Sequence, residues 1–238
     1  KGDRLRFLLC GLSGVAINQL CFFKGLSMTT PIEAAIILTA NPLLVVVAAA
    51  LIAKEKITFY KIAGIALGMT GAVILILQRP SIVPVGYDFL GNILILINAA
   101  SYAVYLVLVR PLMKKYNLGT VMFYVFAIGF VFVIPAGYRE ASQVNWTSIP
   151  AFGFAGLAFI IVGTTFLAYL LNAYGLTQVN ASVVSSYIYL QPFLAAIIAI
   201  AWGKDEIDFS KILSAILVFT GVYLISFKKP ALPNFSRK

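Results

Sequence analysis

The chain has 238 residues, 61% of them hydrophobic and only 11% charged, which leaves too little polar surface for a water-soluble domain. Its formal net charge of +10 does not point to nucleic acid, because Lys and Arg stand in short breaks between apolar runs and form no continuous basic patch. His is absent, and Cys10 and Cys21 both fall in the first apolar run, so neither a metal site nor a disulfide framework is expected.

A helix needs about 20 apolar residues to cross a hydrocarbon core roughly 30 Å thick. On that measure the chain reads as all-α, with eight transmembrane spans at 6–26, 31–53, 59–77, 89–109, 119–137, 151–174, 181–202 and 209–227. It opens at Lys1 on a charged stretch without an initiator Met, and reads as entered at a loop.

The first span carries a small and polar stripe of Gly11, Gly14, Asn18 and Cys21. Thr30-Pro31 supplies an N-cap and a first-turn proline for the second. That span holds Glu33 near one interface, where a helix start favours an anion, and Asn41-Pro42 near its middle. Gly64, Gly68 and Gly71 give the third a face suited to close backbone packing. The stretch 78–88 is the expected hinge, with Asp88 as a cap for the fourth span.

In the fourth span Asn98, Ser101, Tyr102 and Tyr105 follow helical spacing on one face. The sixth offers Thr165, Tyr169 and Asn172. The seventh, with Asn180 as its expected cap, offers Ser182, Ser185, Ser186, Tyr187 and Tyr189, followed by Gln191-Pro192. Tyrosine is too bulky for close helix contact and its hydroxyl needs a partner, which favours a cavity wall for at least two of these stripes. The prolines Pro42 and Pro192 read as kinks that free carbonyls at Leu38 and Ile188.

With the N-terminal loop placed in the cytoplasm, the opposite side receives only Lys24, Arg79, Arg139, Lys204 and Lys211 of the 18 Lys and Arg. That positive-inside bias puts both visible ends in the cytoplasm. Residues 25–77 also align with 175–227 without a gap at an offset of 150, matching Pro42 with Pro192, Lys54 with Lys204, Glu55 with Asp205, Lys61 with Lys211 and Gly71 with Gly221. Span two then corresponds to span seven, five crossings later, so the copies are inverted. Inverted repeats build many secondary transporters, with the binding site near the midplane at the repeat interface. Spans four and five have no upstream partners, so ten helices are expected in all, with 1–80 as the rest of the first repeat and 81–238 as the second.

Gly-Leu-x-x-Thr-Thr-Pro at 25–31, Asn-Pro at 41–42, Lys-Glu-Lys-Ile-Thr at 54–58, the glycines of 64–71, Gly-Thr-Thr-Phe-Leu-Ala-Tyr at 163–169, Gln-Pro at 191–192 and Gly-x-x-Glu at 203–206 resemble the EamA-type permeases of the drug/metabolite transporter superfamily, especially bacterial members. The resemblance covers 6–227 and implies two inverted five-helix repeats around a central cavity, and a bacterial inner-membrane location.

Asn18, Asn41, Asn98, Tyr102, Tyr169, Tyr187 and Gln191 are the candidate substrate contacts, and Glu33 the candidate group for coupling to protons or cations. A cavity of Asn, Gln, Ser, Thr and Tyr suits a neutral or zwitterionic small molecule such as an amino acid better than a phosphorylated one. The phosphate-loop pattern is absent, so facilitated, exchange or ion-coupled movement by alternating access is expected, with no cofactor. A drug or organic-cation exporter, a channel and a structural membrane protein are the competing readings. An intramembrane enzyme is disfavoured, since His, paired intramembrane carboxylates and a Gly-x-Ser-x-Gly elbow are all missing.

Overall fold

A computed structural model describes residues 2–77, 89–202 and 209–227, which contain helices and no strand. Among the described residues six helices are long and apolar enough to cross a membrane: Asp3–Leu26, Glu33–Ala53, Phe89–Lys115, Leu118–Ser142, Ala151–Gln178 and Phe209–Ser226. The expected hinge at 78–88, the Asp88 cap and the 203–206 motif lie outside the described residues.

Span one comprises α1 (Gly2–Gly11), a π-helical turn (Leu12–Ala16) and α2 (Ile17–Leu26). Its charged start is helical, and Asp3 there pairs with Lys115 and accepts from the Tyr116 hydroxyl at 3.0 Å. Span two is α3 (Pro31–Leu38) and α4 (Asn41–Ala53). Thr30 caps it as expected, its Oγ1 accepting from the Glu33 N–H at 3.0 Å, with Pro31 in the first turn. Lys54 ends α4 in a left-handed conformation, φ 53°, which lets Glu55 N–H return to the Ala49 carbonyl at 3.1 Å.

Helices α5 (Phe59–Leu77), α6 (Phe89–Lys115) and α7 (Leu118–Ser142) follow. The last two outrun the expected ends at 109 and 137. Pro111 sits inside α6, where its one missing N–H leaves the rest of the ladder intact, and Arg110, Lys114 and Lys115 carry the helix out of the apolar layer on long side chains. Charge there marks an interface and not a helix end.

Span six is α8 (Ala151–Phe159), a π-helical stretch (Ile160–Leu167) and α9 (Ala168–Gln178). Residues 181–201 form α10 (Ala181–Ser186), a 3₁₀ turn (Tyr187–Tyr189) and α11 (Leu190–Ala201), and α12 (Phe209–Phe227) closes the described chain. Thus span two breaks at Thr39-Ala40 and the 181–201 run breaks at Tyr187–Tyr189, each just ahead of its Asn-Pro or Gln-Pro pair. Each proline leaves the Leu38 or Ile188 carbonyl without its helical donor, and the two breaks overlap in the aligned sequences.

Helix α6 is the spine, packed against α1, α2, α4, α7 and α9, while α5 pairs with α12. That second pairing brings backbones together. A methyl placed on Gly64 would lie 2.6 Å from the Gly221 carbonyl oxygen, and one on Gly71 would lie 2.8 Å from that of Ser214. The two helices are therefore antiparallel, and because 64 aligns with 214 and 71 with 221, the two contacts exchange under the 150-residue offset. The glycine face is a packing seam, as its spacing predicts. Away from the seam, Phe59, Phe152 and Phe209 are largely exposed, the arrangement of a bundle whose outer solvent is lipid.

Candidate functional site

Midway along α6, Asn98 and Asn18 bracket each other. Asn98 Nδ2 donates to the Asn18 carbonyl at 2.8 Å, and Asn18 Nδ2 to that of Asn98 at 3.3 Å, both residues being buried. The Tyr169 hydroxyl from α9 reaches Asn18 Oδ1 at 3.0 Å and the Gly14 carbonyl, which the π-helical turn presents. Its single hydrogen therefore has two acceptors. The rings of Tyr102, Tyr105 and Tyr169 stand 5.9–6.2 Å apart, and Phe126 lies 5.3 Å from Tyr169.

These tyrosines do enter close helix contacts, contrary to the argument from their bulk. Tyr105 lies on Gly14, where a methyl would come within 2.3 Å of its ring, and Tyr189 lies on Gly68 at 2.4 Å by the same measure. Glycine supplies the socket that the ring needs. Both hydroxyls are buried without a hydrogen-bond partner.

Of the predicted contacts, Asn18, Asn98, Tyr102 and Tyr169 thus come together. Asn41 opens α4 at the break, 3% exposed, with its Oδ1 unpartnered. Pro42 beside it is fully buried. Its repeat counterpart Gln191 is exposed and Pro192 half-buried, because α4 packs on α6 whereas α11 packs on α5 and α12. Tyr187, 53% exposed, lines a separate cavity of about 430 Å³ with Asn172 and Gln178. The mid-bundle cluster and this cavity are distinct places.

Glu33 is half-buried in a closed triangle. Its Oε2 lies 2.9 Å from Thr29 Oγ1 and 2.8 Å from Asn92 Nδ2, and Thr29 Oγ1 lies 2.5 Å from Asn92 Oδ1. At the other end of span two, Glu55 pairs with Lys61 and with Arg110, each at 3.2 Å. Arg110 also donates to Asn180 Oδ1, so Asn180 heads α10 without the side-chain cap expected of it.

Thr29, Asn92, Lys61 and Arg110 escape a search along one face. Asn92 and Arg110 lie about 120° round α6 from Asn98, yet they are 18 residues apart, about five full turns, and so share a face of their own. From that face α6 holds span two at both ends, through Glu33 and Glu55.

The EamA-like transporter family model matches residues 1–77 and 89–227. The chain belongs to that family. An uncharacterized transporter of Bacillus subtilis, YyaM, is 29% identical over 95% of this chain and 74% of its own length. A probable terminal-alkyne amino-acid exporter of Streptantibioticus cattleyicolor is 22% identical over 92% of this chain and 71% of its length. One solved crystal structure shares the fold, with a TM-score of 0.74 at 19% identity, over 95% of this chain and 77% of that one. The EamA family and the apolar helices together make the chain a multi-pass integral membrane transporter.

Proposed function

We propose that this EamA chain is the larger part of a ten-helix carrier, built from two inverted five-helix repeats, that moves small neutral or zwitterionic metabolites such as amino acids by alternating access. The reciprocal seam of α5 and α12 carries this reading. Antiparallel partners whose contacts exchange under the sequence offset are what a pseudo-two-fold axis in the membrane plane produces. Eight spans are counted on this reading, α5 and the α10–α11 run included, with 1–80 and 81–238 as the two repeats. The paired mid-span breaks supply the discontinuous helices that such carriers use at their binding sites.

The substrate class follows from what surrounds the breaks. Asn41 offers an unpartnered buried acceptor, and the mid-bundle cluster offers amides and phenols, whereas Lys61 and Arg110 stand at one end, paired with Glu55. The amino-acid exporter named among the relatives agrees with this class. Asn18, Asn41, Asn98, Tyr102, Tyr169, Tyr187 and Gln191 are the candidate contacts, with Pro42 and Pro192 shaping the breaks and Glu33 the candidate coupling group. In this proposal both visible ends are cytoplasmic, which the positive-inside bias supports, and the membrane is a bacterial inner membrane.

Counterflow in proteoliposomes of the full-length protein, preloaded in turn with amino acids, sugars and organic cations, tests the proposal. Saturable uptake of trace label driven by an internal amino acid is the expected result. Conductance without saturation would replace the carrier with a channel. The tyrosine cluster specifically favours a second reading, an exporter of organic cations, since aromatic faces attract them; counterflow with that class alone would select it.

A further inference from the structure

We propose that the π-helical turns of spans one and six are a matched pair of sliding joints, latched by Tyr169, whose forms the two repeats exchange when the carrier changes the side to which it opens. The proposal rests on the carrier reading above and names the element that moves.

Each turn takes in one residue more than the four-residue step of an α-helix. The Ile17 N–H returns to the Leu12 carbonyl, five residues back. The Ala168 N–H, shared with the Thr165 carbonyl, reaches that of Gly163, likewise five back. π-Helix makes up less than about 1% of residues in soluble proteins, and its turns frequently mark functional sites. Here the offset of 150, carried upstream, lays 12–16 on 162–166, inside the stretch Ile160–Leu167. Two rare defects thus fall at one place in the repeat.

They differ in extent, with five residues in span one and eight in span six. A pseudo-two-fold axis in the membrane plane interchanges the two sides of the membrane. Giving each repeat the form of the other therefore turns the molecule to face the opposite side, and unlike forms in equivalent elements are what one such state contains.

In the exchanged state the turn of span one extends over 10–17, the residues aligned with 160–167. A residue passed by the surplus steps back one helical position, about 100° round and 1.5 Å along the axis. Cys10, fully buried, then takes the place of Leu9, which is 39% exposed, and Gly11 takes the place of Cys10. Gly11, Ser13, Gly14 and Ala16, all buried, leave the sliding stretch few bulky side chains to carry past its neighbours.

The latch joins one defect to the other. Tyr169 stands two residues beyond the π-helical stretch of span six, and its hydroxyl donates to the Gly14 carbonyl inside the turn of span one. A shift in either turn breaks that bond, so the two move together. Tyr169 is in this role a positioning residue.

The test is labelling by N-ethylmaleimide of the full-length protein in lipid, with Cys10 as its one cysteine. Tyr169→Phe keeps the ring and removes the latch. It should speed the labelling of Cys10 about five-fold, the population change that loss of one hydrogen bond produces. Ala72→Cys, in a protein with no other cysteine, is fully buried on α5 outside both joints and should stay protected in the same background. An unchanged rate at Cys10, or equal acceleration at residue 72, would overturn the joint, the second because it reports a loosened bundle. Should Tyr169→Phe fail to elute as a single species, Cys10 is labelled in the unlatched protein's stead during amino-acid counterflow by protein that retains Tyr169, and faster labelling during turnover is expected. Exchange of solute with no change at Cys10 removes the joint and leaves the carrier. Selective labelling of Cys10 in Tyr169→Phe without exchange of any solute does the reverse.

Discussion

Span two is held by one face of α6 at both ends, and the two holds use different chemistry. At the Glu55 end a carboxylate stands between two cations, Lys61 and Arg110, with Lys61 only 7% exposed. At the Glu33 end the partners are an alcohol and a primary amide, neither of them charged. The first hold depends on charge balance and the second on hydrogen supply. Chemically similar substitutions should therefore have unequal costs.

The largest effect is expected from Glu55→Gln. It leaves the buried Lys61 and the half-buried Arg110 without their shared counter-charge, and the loss should fall between the near-zero value of exposed pairs and the roughly 3–5 kcal/mol of buried ones, at about 2 kcal/mol. Unfolding in detergent micelles measures it. A loss no greater than that of Glu33→Gln would erase the contrast between the ends.

A double-mutant cycle sharpens the point. Arg110→Met keeps the apolar stem of the side chain and relieves the unbalanced charge that Glu55→Gln creates. The two changes together should cost less than their sum by about 1 kcal/mol or more. Additive costs would mean that Arg110 serves Asn180 and the start of α10, and not Glu55.

Asn98→Ala probes the other face of α6. It removes the donor to the Asn18 carbonyl but leaves the reverse bond, which uses the Asn98 backbone, so about 1 kcal/mol is expected. Its cost should add to that of Glu33→Gln, because Asn92 lies about 120° round the helix. A non-additive pair would show that the two faces of α6 are coupled.

What the sequence made legible follows the same division between local and long-range causes. Thr30-Pro31 declares a helix start within four residues, the glycine face on α5 declares a close neighbour, and the two X-Pro pairs declare breaks at matching places. Each is local chemistry. The partners were not legible in the same way. Gly14 reads as a small residue on a stripe, and only its placement opposite Tyr105 reveals a socket. Asn180 has the residue type of a cap but meets Arg110 from 70 residues earlier. Asn41 and Gln191 occupy equivalent positions in the aligned sequences, yet one is buried and the other exposed, because equivalence in sequence does not carry over to the helices packed outside.

The smallest effect is expected where intuition about buried carboxylates would place a large one. Glu33→Gln removes the acid of span two's first turn but should change stability by no more than about 0.5 kcal/mol. The Gln amide nitrogen, placed at the Oε2 corner, has two hydrogens, one for Thr29 Oγ1 and one for Asn92 Oδ1, and the Asn92 amide can then donate along the third edge to Thr29. All three edges keep a hydrogen. The same change removes an acidic side chain from a helix N-terminus, a loss of about 0.5 kcal/mol at most that fades as salt is added. Stability measured at low and high ionic strength therefore separates the two contributions: a loss that fades with salt belongs to the helix start, and one that does not belongs to the hydrogen bonds with Thr29 and Asn92.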